Sequence, residues 1–399
     1  MNAEQTAVQN VAKQELESQF RAMATRLPPI VCFANDWGGD PTSKHHIMRQ
    51  FSRHVPVLWV ESAGMRRPRL SSLADLRRIA ARLKPAPARS SAGSQASTGN
   101  VRVISPLSIP LPGNRAAEMV NRRLYRRAVA KAGVAGDAPL LWVYTPTVAP
   151  YLDAIPHSGL VYHCVDRWWA FSEYDPAVMR RHHEALCRKA DVVFASAAEL
   201  LEDCRQFAPD AQLMPHGVDW DHFSRAAFNP PARPADIANV TGPIIGFFGL
   251  LHDWIDQDLL IRIADANPAA TMVLIGKAPV DISRLVRHHN VRWLGQKPFA
   301  ELPAYAAAFD VALVPFVRND LTAAVNPIKL LEYLSAGVPV VATALPEIVR
   351  LSPRRGLNVA ADANEFVAAV GDLLRRDSSV EERQAIAGAQ AEDSWLGRC

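Results

Sequence analysis

The sequence lacks any run approaching 18 apolar residues, so no segment reads as a membrane span. It has no C-x-x-C pair. Its five cysteines, Cys32, Cys164, Cys187, Cys204 and Cys399, are scattered, which argues for a reducing compartment and against a zinc or disulfide framework. The first 27 residues are polar and carry Glu4, Lys13, Glu15 and Glu17, so they do not read as a signal peptide. No G-x-x-x-x-G-K-[ST] is present, which excludes a nucleotide triphosphatase loop. "HEALCRK" (183–189) contains no H-E-x-x-H, which excludes that zinc-protease chemistry. What is present is an ordinary globular composition, 49% apolar and 21% charged, in a chain of 399 residues, a length that suits two domains.

Net charge is only +4, but it is unevenly spread. Residues 51–150 hold 16 Lys/Arg against 4 Asp/Glu, a local +12 that leaves −8 for the remainder. The excess gathers in "RRPRLSSLADLRRIAARLKPAPAR" (66–89) and "NRRLYRRAVAKAG" (121–133), both helix-like with apolar residues between the basic ones. Such stripes suit an anionic membrane surface; a solvated basic face is the plainer alternative. No nucleic-acid-binding motif accompanies the charge, so nucleic acid is not expected as a partner. Residues 1–29 read as an amphipathic helix or extension, with Val8, Val11, Leu16, Phe20, Met23 and Leu27 on one face.

Short β-branched or aromatic runs alternate with helix-length segments throughout, the signature of parallel α/β domains. The first half offers strands at 30–35, 55–60, 101–105, 140–144, 160–165, 192–196 and 212–215; the second offers 244–249, 272–276, 291–294, 311–315 and 338–342. The expected organisation is a first Rossmann-like domain over 30–222, with a mobile Ser/Ala/Gly-rich loop at about 86–100. A Pro- and Ala-rich linker follows over 223–241, then a second Rossmann-like domain over 242–375 and a helical tail over 376–399. Ligands of open α/β sheets bind beyond the carboxyl ends of the strands. That rule selects Asn35-Asp36-Trp37-Gly38-Gly39, Asp166, His216-Gly217, Gly249 and Gly276.

One stretch, "NPIKLLEYLSAGVPVVAT" (326–343), reads as a helix running into a buried strand. Asn326 suits the N-cap, Pro327 the first helical position, and Gly337 a left-handed stop. Lys329 and Glu332 stand three apart and share a helix face. A cation in the first turn opposes the helix dipole and needs a partner. A phosphate at the helix N-terminus would serve, with the carboxylate one turn further in at reach of ribose hydroxyls. A surface Lys–Glu pair is the plainer reading, worth a few tenths of a kcal/mol, or about 0.3.

With these residues in view, the chain resembles the GT-B glycosyltransferases. "LMPHGVDWDHF" (213–223), "FFGLLHDWID" (247–256), "MVLIGKAP" (272–279), "PFAELPAYAAAFDVALVPF" (298–316) and the 326–343 stretch carry the resemblance, in order along the chain. It implies two Rossmann-like domains with parallel sheets facing across a cleft, the nucleotide-sugar on the C-terminal one. Retaining members of the largest bacterial GT-B family carry a Glu eight residues before the helix Glu; here Ala324 stands there. The K-x-x-E layout is instead similar to that of the teichuronic-acid-type transferases and the membrane-associated glucuronosyltransferase of xanthan synthesis. In the latter an Asp directly after an N-terminal-domain strand acts as base, and "LVYHCVDRWWAF" (160–171) places Asp166 there.

The resemblance thus implies an inverting transfer from a UDP-linked sugar to a glycan or lipid-linked acceptor at the cytoplasmic face of the membrane, with no metal or other cofactor. Asp166 is the expected base and Asp36 a second candidate. Gly249, Gly276, His216, Asn326, Lys329 and Glu332 are the donor-side set. Trp37, Gly38, His45, Trp168 and Trp169 are the acceptor-side set. An Asp that caps a helix or pairs with Arg167, aromatics that belong to the core, and a histidine that merely fixes a hinge are the plainer alternatives. His45 and His46 lack the neighbours a metal site needs. Rival readings are a retaining transferase, a sugar-nucleotide 2-epimerase, and an inactive nucleotide-sugar-binding homologue.

Overall fold

The computed structural model describes residues 3–61, 100–133, 138–376 and 379–398, with residues 3–13 as backbone only. The basic segment 66–89 and nearly all of the Ser/Ala/Gly-rich piece lie outside the described residues. The chain divides into two compact units, Glu15–Met214, and Pro215–Cys399 together with Met1–Gln14.

The first unit is built on a seven-stranded parallel sheet. Its strands are β1 (Ile30–Ala34), β2 (Val57–Glu61), β3 (Val101–Ile104), β4 (Leu140–Val143), β5 (Gly159–Cys164), β6 (Val192–Ala195) and β7 (Gln212–Leu213), in the order β3-β2-β1-β4-β5-β6-β7. The register pairs Ile30 with Val57 on one side and with Leu140 on the other. Every β1 side chain is buried, as in a parallel strand covered on both faces. The strand order reverses between β1 and β4, which opens the crevice at their carboxyl ends where such sheets bind ligands. The helix Ser43–Ser52 follows β1 and buries Ile47, Met48 and Phe51. The N-terminal helix Ala3–Ala24 buries Phe20 and Ala24, but Leu16 and Met23 from its expected apolar face are exposed.

The second unit repeats the plan with six parallel strands. They are β8 (Ile244–Phe248), β9 (Thr271–Ile275), β10 (Val291–Trp293), β11 (Val311–Val314), β12 (Val340–Thr343) and β13 (Leu357–Ala360), in the order β10-β9-β8-β11-β12-β13. β13 was not expected from the sequence; it is a short edge strand, with a polar Asn358 and only Ala360 buried. The boundary expected at 222/223 falls earlier, between Met214 and Pro215. The segment expected as a linker is packed: Phe223, Ala226, Ile237 and Val240 join the core with Ile244, Phe248 and Phe309. Proline and alanine there shape a path of short helical turns, and the apolar residues between them fix it. The tail also packs, through Ile386 and Trp395.

Close backbone approach governs the rim of this sheet. Gly276, just after β9, has φ +140, and a Cβ there would lie 1.8 Å from the Gly249 carbonyl oxygen. Glycine at 276 is therefore demanded by packing between two strand ends within the unit. Gly276→Ala should cost about 3 kcal/mol, combining backbone strain with overpacking. Gly388→Ala, where an added Cβ meets nothing within 4 Å, should leave stability unchanged or slightly raised. Chemical denaturation of the two variants checks the contrast.

Candidate functional site

In the first unit the site begins at the end of β1. Asp36 adopts a left-handed conformation, φ 57, which Asp tolerates better than most side chains. Its carboxylate folds over Gly39, where a Cβ would stand 2.4 Å from Asp36 Oδ2. The tight turn returns the chain to the helix Ser43–Ser52, whose first turn carries Lys44 and His45. His45 is buried, and its roles are fixed by its partners. Nδ1 accepts from the Thr42 N–H at 3.1 Å, so Nε2–H donates to the Asp36 carbonyl at 2.9 Å. Burial lowers its pKa to about 3, so the ring is neutral. It stacks on Trp59, centroids 5.0 Å apart. His45 therefore holds the loop's shape.

Trp37 is half-buried in the same cluster. Its N–H donates to Glu61 Oε1 at 3.2 Å, its ring packs on Trp59, and the Arg49 guanidinium lies 5.5 Å from its centroid. Gly38 is exposed, with open space around it.

Lys44 is the residue that sequence reasoning missed. Its ammonium donates to Asn35 Oδ1. Burial lowers its pKa, and the charges of Asp166, Cys32 and Asp36 oppose that shift. Asp166, directly beyond β5, is half-buried. Burial raises its carboxyl to about 7, held back by the positive charge of Lys44. Neither plainer role applies to it. Arg167 is taken by Asp203, with Nε 2.8 Å from Oδ2, and the short turn Trp168–Ala170 has no side-chain cap. The outcome is a carboxylate just past β5 whose pKa is raised to about 7 by burial, under the opposing positive charge of Lys44 from the helix after β1. The signal for Lys44 was its place beside His45 in the first helical turn.

The tryptophans expected to stack on an acceptor are buried instead. Trp168 packs on Phe171 and Tyr174, and Trp169 meets the His183 ring edge-on at 4.8 Å. Aromatics that follow a strand this closely are drawn under the rim, where their area is removed from water.

In the second unit the helix expected from 326 runs Ile328–Ser335, with Pro327 at the N-cap and no side-chain cap. Asn326 does not cap it; its carbonyl accepts from His216 Nδ1 at 2.9 Å. Gly337 has the left-handed φ expected, +74. Lys329 Nζ lies 2.8 Å from Glu332 Oε2 and 5.2 Å from the centroid of Phe248. The pair is asymmetric, its lysine side chain 34% exposed and its glutamate 3%. It is therefore not a fully solvated surface pair. Tyr333, unnoticed in the sequence, locks this helix to the end of β8: its hydroxyl accepts from the Phe248 N–H at 2.7 Å and donates to the Phe248 carbonyl at 3.1 Å. Gly249 follows directly, half-buried, next to the Gly276 approach. His216 is buried with its pKa lowered to about 4 by burial. With Nδ1–H donated, its Nε2 is an acceptor without a partner among the described residues. Ala324 is fully buried, so the position carries neither a carboxylate nor access.

Comparison with known proteins follows the same division. Residues 242–376 match the family model described as "Glycosyl transferases group 1". Over 237 residues the chain is 27% identical to the putative teichuronic acid biosynthesis glycosyltransferase TuaH of Bacillus subtilis (strain 168), covering 55% of this chain. The match spans 59% of that relative's length. Among solved structures, sucrose-phosphate synthase from Thermosynechococcus elongatus superposes with a TM-score of 0.66 at 15% identity, covering 93% of this chain and 96% of that one. HepE from Anabaena, in complex with UDP-glucose, superposes with 0.62 at 17% identity, covering 93% and 96%. The fold is GT-B, the architecture these solved structures share.

Proposed function

We propose that this chain transfers a sugar from a UDP-linked donor to a glycan or lipid-linked glycan acceptor, in surface polysaccharide or glycoconjugate synthesis, with inversion at the anomeric carbon. The observation that carries the reading is Asp166, a half-buried carboxylate just past a strand end whose pKa burial raises to about 7 against the charge of Lys44. In this mechanism the carboxylate takes the acceptor hydroxyl proton as the oxygen attacks, and the bond from the anomeric carbon to the diphosphate breaks. Lys329, with the first turn of its helix, stabilises the departing diphosphate, and Glu332 accepts from ribose hydroxyls. No step in this scheme calls on a metal. UDP is favoured because HepE is described with UDP-glucose and the trehalose-6-phosphate protein of E. coli with UDP-2-fluoro glucose. The apolar burial of Ala324 favours inversion over the retaining alternative.

A cytoplasmic, membrane-peripheral site of action is part of the reading. The helix Arg115–Ala132 buries Asn121, Tyr125, Val129 and Ala132, which turns Arg122, Arg123, Arg126 and Arg127 outward. Asn121 Oδ1 accepts from the Ile109 N–H at 2.7 Å and so ties down a loop with Leu107, Ile109 and Leu111 exposed. Met119 and Val120 on the helix are exposed as well. Basic residues flanked by exposed apolar ones favour an anionic lipid surface over plain solvation. Replacing the four arginines by glutamine should weaken sedimentation with phosphatidylserine vesicles by about 1 kcal/mol per charge. Binding that is absent at low salt, or indifferent to salt, would leave only a solvated face.

The chemistry is tested at Asp166. Asp166→Asn keeps shape and hydrogen-bonding reach but accepts no proton, so turnover should fall by about 10²–10⁴ while donor affinity hardly changes. An α-linked donor should yield a β-linked product. A fully active variant, or retained configuration, contradicts the mechanism.

A further inference from the structure

We propose that the first unit contains a buried site for a single soft divalent cation, Zn²⁺ in the first instance, formed by Cys164, His183 and Cys204 with Cys187 as fourth ligand. Ligand atoms of the first three residues all lie within 4.8 Å of one another, and the Sγ of Cys187 is 3.6 Å from His183 Nε2. All four residues are buried, and the three thiols are free. They come from three elements: the end of β5, the helix Pro176–Lys189 and the helix Ala198–Arg205. This is why no paired motif announced them, and why the scattered cysteines argued against zinc in the sequence.

The geometry and the chemistry of the donors agree. A tetrahedral ion with bonds of about 2.05 Å to nitrogen and about 2.3 Å to sulfur separates N from S by roughly 3.6 Å and S from S by roughly 3.8 Å. Cys187 and His183 already stand at that separation. Cys164, His183 and Cys204, all within 4.8 Å of one another, need close by no more than about an ångström to reach it, and Cys187 completes the set from its place beside His183. Zinc-bound histidines characteristically use their second ring nitrogen to fix the ring. Here the Tyr162 hydroxyl sits 3.0 Å from Nδ1, leaving Nε2 for the ion. Trp169 and Phe207 meet the same ring edge-on and shield the cluster from water. Buried thiols commonly serve as small apolar side chains. An imidazole enclosed among three of them is the Cys₃His donor set that selects zinc. On binding, each coordinating thiol releases its proton to solvent and no redox step occurs. The ion would clamp β5 to both helices just beneath the segment that carries Asp166. This inference does not depend on the transferase reading.

The test uses the reduced, metal-stripped full chain titrated with Co²⁺ alone, then Zn²⁺. One equivalent of Co²⁺ should produce tetrahedral d–d bands and thiolate-to-cobalt charge-transfer absorption, and one equivalent of Zn²⁺ should abolish both. Zn²⁺ should also raise the thermal midpoint and protect three thiols from an aromatic disulfide reagent. Cys204→Ser and Cys164→Ser should each lose most of the charge-transfer intensity. The wild-type titration needs no variant, so it decides even if a substitution prevents folding. Absence of thiolate absorption with excess Co²⁺, or full intensity in both serine variants, overturns the proposal.

Discussion

A parallel strand buried on both faces has no place for charge, and that constraint organises both units. β1, β8 and β11 are apolar and buried throughout, and β12 is buried with only Thr343 polar at its end, so polar side chains collect where the strands end. The two sheets share one order reversal, at β1/β4 and at β8/β11, and the candidate residues follow the strands around it. Asn35, Asp36 and Asp166 lie on one rim, Gly249 and Gly276 on the other. Fold and site are thus consequences of the same rule.

Each unit solves the same electrostatic problem in its own way. Lys44 and Lys329 both occupy the second position of a helix, where the dipole disfavours a cation. Each is held by oxygen acceptors: Lys44 by Asn35 and the charge of Asp166, Lys329 by Glu332. The consequences differ with burial. Lys44 restrains the rise of the Asp166 carboxyl, whose pKa burial lifts to about 7. Lys329 keeps a third of its side chain exposed above a buried carboxylate, which suits an anion-binding role.

The strands were legible because their apolar runs are short, β-branched and bounded by glycine or polar residues; β13 was not, since Leu357–Ala360 is only partly buried and carries a polar residue. The 223–241 segment misled because its prolines read as flexibility while Ile237 and Val240 anchor it in the core. Asn326 misled because the helix begins one residue later than its pattern suggested, with Pro327 at the N-cap position. Among the candidate residues, Asp166 and Gly249 followed from strand ends, and Lys329 from its place in the first turn of a helix. Lys44, Tyr333 and the Cys164–His183–Cys204 set did not, because each acquires its meaning from a partner brought near only by the fold.

The central claim is that a nucleotide diphosphate is held at the helix Ile328–Ser335 and is independent of the carboxylate after β5. Calorimetric titration of UDP into the full chain tests it most directly. The account predicts saturable binding that Lys329→Met weakens by about 1.5–3 kcal/mol, the scale of hydrogen bonds to a charged group, and that Asp166→Asn leaves intact. Binding unaffected by Lys329→Met in a folded variant, or no binding of UDP at all, would contradict it.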